Sequence, residues 1–191
     1  MEGERVPLAK ARALAAETVD LLSPACARIE IAGSIRRRSA DCGDMEIVAV
    51  PLVETTATGL FDDEVESVDL LHRRCQELAA DGTFECRADT AGRLAFGARY
   101  KRLRYRGFPL DLFVVIPPAT WGVIFTLRTG PAAFSHALVT DRRYGGLLPE
   151  WARVQDGAIV HRKTREVIPT PEEEDVFRAI GQPYVEPEVR S

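Results

Sequence analysis

Along residues 7–22 the side chains Leu8, Ala11, Leu14, Ala15, Thr18, Val19 and Leu22 recur at spacings of three and four. That period predicts an amphipathic helix, which Ser23-Pro24 stops. Residues 28–32 alternate, with Ile29 and Ile31 on one side, and predict a strand that breaks into a tight turn at Gly33-Ser34. Residues 45–50 form a β-rich apolar run closed by Pro51, the pattern of a mostly buried strand. Residues 52–58 read as loop. Residues 65–80 read as a second helix ending at Asp81-Gly82, and 84–86, 93–106 and 110–116 as three further strands.

Consecutive prolines at 117 and 118 stop the last of these strands and mark a boundary. Beyond them, residues 121–127 and 132–140 have helical patterns, and Gly145-Gly146 makes a turn. Asp156-Gly157 joins two short apolar stretches within 154–160 as a hairpin. Thr170-Pro-Glu-Glu173 carries a capping-box signature for one more helix. The reading is an α+β fold: a mixed or antiparallel sheet with helices on one face, filling residues 1–118, and a small α/β lobe over residues 119–191.

Charge changes this picture locally. The net charge of −4 speaks mildly against a polyanionic partner, since phosphate neutralisation supplies most non-specific affinity. Yet residues 91–110 contain no acid, and there Arg93, Arg99, Lys101, Arg102, Arg104 and Arg106 interleave with Tyr100 and Tyr105. That stripe is either a nucleic-acid footprint or a solvated strand face. Acids gather instead at Asp62, Asp63, Glu64, Glu66 and Asp69, and at residues 172–175. The four cysteines, Cys26, Cys42, Cys75 and Cys86, have neither zinc-site spacing nor the density of a disulfide scaffold, so a reducing cytoplasm is the simplest setting. No signal peptide or membrane span is read. A soluble monomer without membrane contact is expected.

The chemistry concentrates in Ala32-Gly-Ser-Ile-Arg-Arg-Arg38 and Gly43-Asp-Met-Glu46. A Gly-Ser turn after a strand frees backbone N–H groups that can cradle phosphate oxygens, and Arg37 adds a charge-assisted partner. Asp44 and Glu46 are two apart on a predicted strand, so both carboxylates project from the face opposite Met45 and Ile47. Two acids in so apolar a strand call for a cation, and hard oxygen ligands beside a phosphate turn suit Mg²⁺. His72, His136 and His161 are scattered and read as structural or exposed.

Gly33, Ser34, Arg36, Arg37, Gly43, Asp44 and Glu46 together resemble the Gly-Ser-x-Arg-Arg … Gly-Asp-x-acid pattern of the nucleotidyltransferase superfamily. More specifically they resemble the family X DNA polymerases, which are polymerase beta-like. The family's third carboxylate would be Asp111, the only acid between Asp89 and Asp141. Trp121-Gly122 and Thr129-Gly130 resemble the start of its thumb, and Pro183-Tyr184 with Pro187 and Arg190 resemble its C-terminal tail.

The resemblance implies a nucleotidyltransferase palm joined to a thumb, the reduced form known from a viral member, without lyase or helix-hairpin-helix domains. It implies DNA-directed DNA polymerase activity in gap filling or repair, with nucleoside triphosphates and primer-template or gapped DNA as partners. Asp44, Glu46 and Asp111 would hold two Mg²⁺ ions, for which Mn²⁺ could substitute, with Asp111 taking the 3′-hydroxyl proton. Gly33, Ser34, Arg37, Gly43, Arg128 and Gly130 would bind the nucleotide, and Arg102 and Arg104 the DNA.

Three departures from the family stand out. Glu46 replaces the usual aspartate, Pro109 an arginine near the primer end, and Leu127-Arg128 an aromatic pair beside the incoming sugar. The last predicts weak discrimination between deoxyribose and ribose. The resemblance further implies a cis bond at the turn after Thr129-Gly130, before Pro131. Two alternatives stay open: a small nucleotidyltransferase acting on a protein, a drug or an RNA end, and an inactive DNA-binding relative.

Overall fold

The structure, a computed structural model, describes residues 5–57, 65–88 and 91–190. A short strand β1 (Val6–Pro7) leads into helix α1 (Leu8–Leu22), whose Ala11, Leu14, Ala15, Thr18 and Leu22 are buried at helical spacing. Thr18 satisfies its hydroxyl on the Leu14 carbonyl at 2.8 Å, so a polar side chain can lie on the buried face. A 3₁₀ turn at Ser23–Ala25 then turns the chain into β2 (Cys26–Ile31). The one-turn helix α2 (Gly33–Arg36), β3 (Asp41–Cys42), β4 (Met45–Pro51), β5 (Val53–Ala57), β6 (Val65–Asp69) and α3 (Leu70–Ala80) come next. Strands β7 (Phe84–Cys86), β8 (Tyr100–Tyr105) and β9 (Phe108–Val114) complete the main sheet.

That sheet has five strands in the order β2-β4-β9-β8-β7, with β4 and β9 parallel and every other neighbouring pair antiparallel. Strand alternation divides its faces. Met45, Ile47, Ala49, Leu103, Leu110 and Leu112 pack with α1 and α3 in the largest core cluster. Glu46, Val48, Asp111 and Phe113 take the other face. Val48 and Phe113 are covered by Trp121 and Phe125, and the acids lie beyond that cover.

After a cis Pro117-Pro118 peptide come α4 (Trp121–Thr129), α5 (Ala132–Val139), an antiparallel sheet of β10 (Ala152–Gln155), β11 (Ala158–His161) and β12 (Val167–Ile168), and α6 (Glu173–Ala179). Val123, Phe134, Leu138, Ile159, Val176 and Phe177 form their separate core. Gly122 lets α4 meet the chain before α6: its N–H donates to the Thr170 carbonyl at 3.0 Å, and a Cβ would lie 2.2 Å from the Glu172 oxygen.

Several expectations are corrected. Residues 53–57 are strand, paired antiparallel with 65–69, so the predicted second helix begins five residues later. It starts at Leu70 because the Asp69 carboxylate accepts the His72 N–H at 2.8 Å and caps it. The long strand over 93–106 shrinks to β8. Before it lie only isolated bridges, Ala88 to Leu94 and Phe96 to Lys101, with a turn at Gly97. Thr170 does not cap α6. It is fully buried and bonds Thr120 through its hydroxyl at 2.6 Å, and the box forms two residues on, where the Glu172 N–H donates to Asp175 at 3.0 Å. The Gly130-Pro131 peptide is trans. Proline lowers the cost of a cis bond without requiring one, and Gly130 takes the extended backbone, φ −66°, ψ 152°, usual before a trans proline. Residues 58–64 and 89–90, with the acids Asp62, Asp63, Glu64 and Asp89, lie outside the described residues.

Candidate active site

The parallel pairing of β4 with β9 sets Glu46 directly beside Asp111, and Asp44 lies just ahead of β4. Three acids, two on neighbouring strands and one just ahead of β4, therefore share one partly buried corner. Burial, then the charge of Asp44, pushes Glu46 up to about 7, against opposing fields from Arg128 and Arg37. Burial and then Asp111 also raise Asp44, while Arg87, Arg5 and Arg37 pull it down. Burial and the Asp111 carboxylate push Tyr100 up to about 12.

Asp111 leans toward two arginines. Its Oδ1 is 3.6 Å from Arg102 Nε and 3.8 Å from Arg87 Nη1, outside hydrogen-bond distance, and both Oδ1 and Arg102 Nε are buried without a hydrogen-bond partner. Among the described residues no three His, Cys, Asp or Glu side chains converge tightly enough to make a ready-formed cation cluster. Two features nonetheless fit a hard cation here: an orphaned carboxylate oxygen, and acids whose proximity raises Asp44 and Glu46.

The Gly-Ser turn closes over this corner as the helical turn α2. Gly33 sits at φ +62°, and a Cβ on it would fall 2.2 Å from Glu46 Oε2, so conformation and space both require glycine. The Ala32 N–H donates to the Glu46 carbonyl at 2.8 Å, pinning the turn to β4. Ser34 Oγ is buried with no partner. Gly43 lies near Arg5, whose Nη1 would be 3.7 Å from a Cβ there.

The two arginines of the motif take different places. Arg36 is engaged elsewhere than on Asp44, Glu46 and Asp111, donating to Thr129 Oγ1 at 2.8 Å and to Glu173 at 2.5 Å, with its guanidinium 3.9 Å from the Phe125 ring centre. Arg37 donates to the Thr129 carbonyl at 2.6 Å while its charge still reaches Asp44 and Glu46. Gly130 follows directly as the cap of α4. Arg128 stacks 3.9 Å from the centre of the Phe113 ring. Between the sheet face, α4 and the β10–β11 hairpin opens a cleft of about 560 Å³, lined among others by Glu46, Asp111, Tyr100, Phe113, Arg128 and Asp156.

The basic stripe is not one face. Tyr100, Arg102 and Arg104 alternate onto the side of Asp111, but Lys101 is fully buried, donating to the Gly97 carbonyl at 3.0 Å. Arg106 pairs with Glu17 at 3.0 Å, and Arg99 lies 4.0 Å from Asp156. Alternation along β8 dictates the split. Arg5 and Arg87 were missed in the sequence because nothing in their local pattern sets them apart. Only the β1–β3 pairing and the end of β7 bring them to the acids. All four cysteines are free, and burial pushes Cys26 and Cys75 up to about 12 and 11, so neither is a reactive thiolate. None of the three histidines lines the cleft.

Residues 128–191 match the family model described as DNA polymerase beta thumb. Over 171 residues, 83% of this chain, the sequence is 27% identical to DNA polymerase lambda of Rattus norvegicus. The match spans 28% of that relative's length. The chain is thus similar to the DNA polymerase beta thumb over its C-terminal third and to DNA polymerase lambda along most of its length.

Proposed function

We propose that the chain adds nucleotides to a DNA 3′-hydroxyl, with residues 1–118 acting as palm and 119–191 as thumb, in gap filling or repair. The observation that carries this is the in-register pairing of Glu46 with Asp111 beneath the Gly33 turn, at the mouth of a nucleotide-sized cleft. Asp44, Glu46 and Asp111 would hold two Mg²⁺ ions, which when bound supply charge neutralisation at the attacking and leaving oxygens.

In this reading the 3′-oxygen attacks the α-phosphorus of a nucleoside triphosphate, the bond to the bridging α–β oxygen breaks, and pyrophosphate leaves. Asp111 Oδ1, without a hydrogen bond of its own, accepts the hydroxyl proton. Ser34 Oγ, equally unpartnered, donates to the departing phosphates. Arg37 keeps free N–H groups beyond the one on Thr129 and draws the same charge, as does Arg128, held in place by Phe113. Most of the catalysis is positioning and electrostatics.

The test is primer extension with Mg²⁺, with and without template, on recessed and gapped DNA. Asp111→Asn should abolish incorporation while leaving the melting curve intact. A substantially active Asp111→Asn variant would overturn the mechanism, and extension of an RNA end alone would overturn the substrate.

A further inference from the structure

Strand β2 is an edge of the main sheet, with β4 as its one neighbour. The Ala32 N–H donates to the Glu46 carbonyl, and the register runs on through Glu30 opposite Val48 and Arg28 opposite Val50. Antiparallel strands bond at every second residue, so these are the residues whose backbone faces β4, and the N–H and C=O groups of Ile29 and Ile31 point the other way. They are left without a ladder partner.

These groups do not open onto a flat surface. A concavity of about 500 Å³ lies along the edge, between Ala16, Val19 and Asp20 of α1 on one side and Tyr184, Glu186 and Pro187 of the C-terminal tail on the other. It shares no lining residue with the nucleotide-sized cleft. Because the edge is recessed between these walls, a second copy of the chain, whose β2 is recessed in the same way, cannot reach it. A single extended chain can.

Charge says which kind of chain. Arg36 is taken up by Glu173 and Arg38 by Glu188, at 2.5 and 3.1 Å. Asp20, Glu30 and Glu186 make no ion pair among the described residues, and of the lining cations only Arg12 shares that state, so the open charge of the groove is negative. It repels a polyanion and attracts lysine or arginine. The pleat sorts the rest. Ile29 and Ile31 turn to the α1 side of the sheet, where they pack on the main core, and Glu30 projects from the other face. A strand laid alongside sets alternate side chains over Ala16 and Val19, and the others by Glu30 and Glu186.

We infer that this groove takes an extended peptide of alternating apolar and basic residues, added to the free edge of β2 as a further strand of the sheet. The backbone groups of Ile29 and Ile31 supply the hydrogen bonds, and the acids select the charge.

The probe is a short synthetic peptide of alternating valine and lysine, blocked at both ends, with alternating valine and glutamate as its counterpart. Added to the full chain, the lysine peptide should slow amide hydrogen exchange at Ile29 and Ile31, read residue by residue by NMR, and the glutamate peptide should not. Glu30→Gln and Glu186→Gln should each weaken its binding by roughly two- to fivefold, the range of an exposed ion pair, with the melting curve unchanged. Methylating the backbone nitrogens of one residue type in the peptide should abolish binding and of the other should leave it, since an added strand turns only alternate amides to its neighbour. Exchange at Ile29 and Ile31 that stays fast at the highest concentration of lysine peptide overturns the inference, as does equal binding of the two peptides, or binding indifferent to both methylations. Protection that appears without peptide as the chain is concentrated assigns the edge to a second copy, and protection by single-stranded DNA assigns it to nucleic acid; either result overturns the peptide site. Exchange and binding are read without turnover, so failure of primer extension would bear on the proposed function alone.

Discussion

Gly33 and Glu46 show how closely the two halves of the sequence motif depend on each other. The left-handed backbone at Gly33 turns the chain from β2 into α2, and the missing Cβ leaves room for the Glu46 carboxylate. In Gly33→Ala both conditions fail, and left-handed strain alone should cost roughly 1–3 kcal/mol. Pairing it with Glu46→Ala removes the carboxylate and should recover the steric part but not the strain, a non-additivity readable by urea unfolding of the four proteins. Strict additivity would mean that the two side chains do not meet. Arg128 is a second case in which one residue carries more than its type suggests. From the sequence it is long, and placed where an aromatic pair is usual; stacked on Phe113 it is held on one side of the cleft while its charge lowers Glu46 against burial. The weak sugar discrimination expected from a mobile side chain therefore loses part of its motive.

At the scale of elements, the sequence pattern is readable where a segment's neighbours are local and misleading where they are distant. The periodicity of α1, the strand at 45–50 and the Asp156-Gly157 hairpin follow from short-range rules, down to the positive φ of 51° at Asp156 and 81° at Gly157. Residues 53–57 become strand only because 65–69 pair with them. The start of α6 was misread for a similar reason, since Thr170 is drawn into the contact with Thr120 and Gly122. That junction is reinforced by charge: Glu173, 4% exposed, accepts from Arg36 at 2.5 Å and from the buried Arg190 at 2.8 Å. Burial pushes Glu173 up, but the hydrogen bonds and charges of the two arginines outweigh it and hold the carboxyl below its ordinary value. Its contribution is therefore fully present above the unfolded value near 4.5 and is lost as pH falls through the folded one. Glu173→Gln strands two guanidinium groups and should destabilise by roughly 3–5 kcal/mol at pH 7. It should also lose part of the acid-dependent decline seen in wild type below pH 4.5, as read by melts across pH. An equal decline in both proteins would assign the acid sensitivity elsewhere.

Across the whole molecule the candidate site lies where three segments meet: the Gly33 turn, the β4–β9 pair and the end of α4. The acids were legible in the sequence because their chemistry is written in residue type and spacing. The cations that surround them, Arg5, Arg87 and Arg102, were not legible as a set, because three separate strand pairings deliver them. This arrangement predicts how the fold responds to a cation. Without one, Asp44, Glu46 and Asp111 repel one another across a partly buried corner, and burial and neighbouring negative charge raise Asp44 and Glu46. Asp44→Asn removes one of the repelling charges and should raise the unfolding temperature in chelator. Mg²⁺ at a hundred times its dissociation constant should add about 2.7 kcal/mol to the wild type, and much less to the variant, whose site lacks a ligand. Melting curves of both proteins, with and without Mg²⁺, give the four values required. A variant less stable than wild type in chelator, yet stabilised as strongly by Mg²⁺, would mean that Asp44 supports the fold and takes no part in holding the metal.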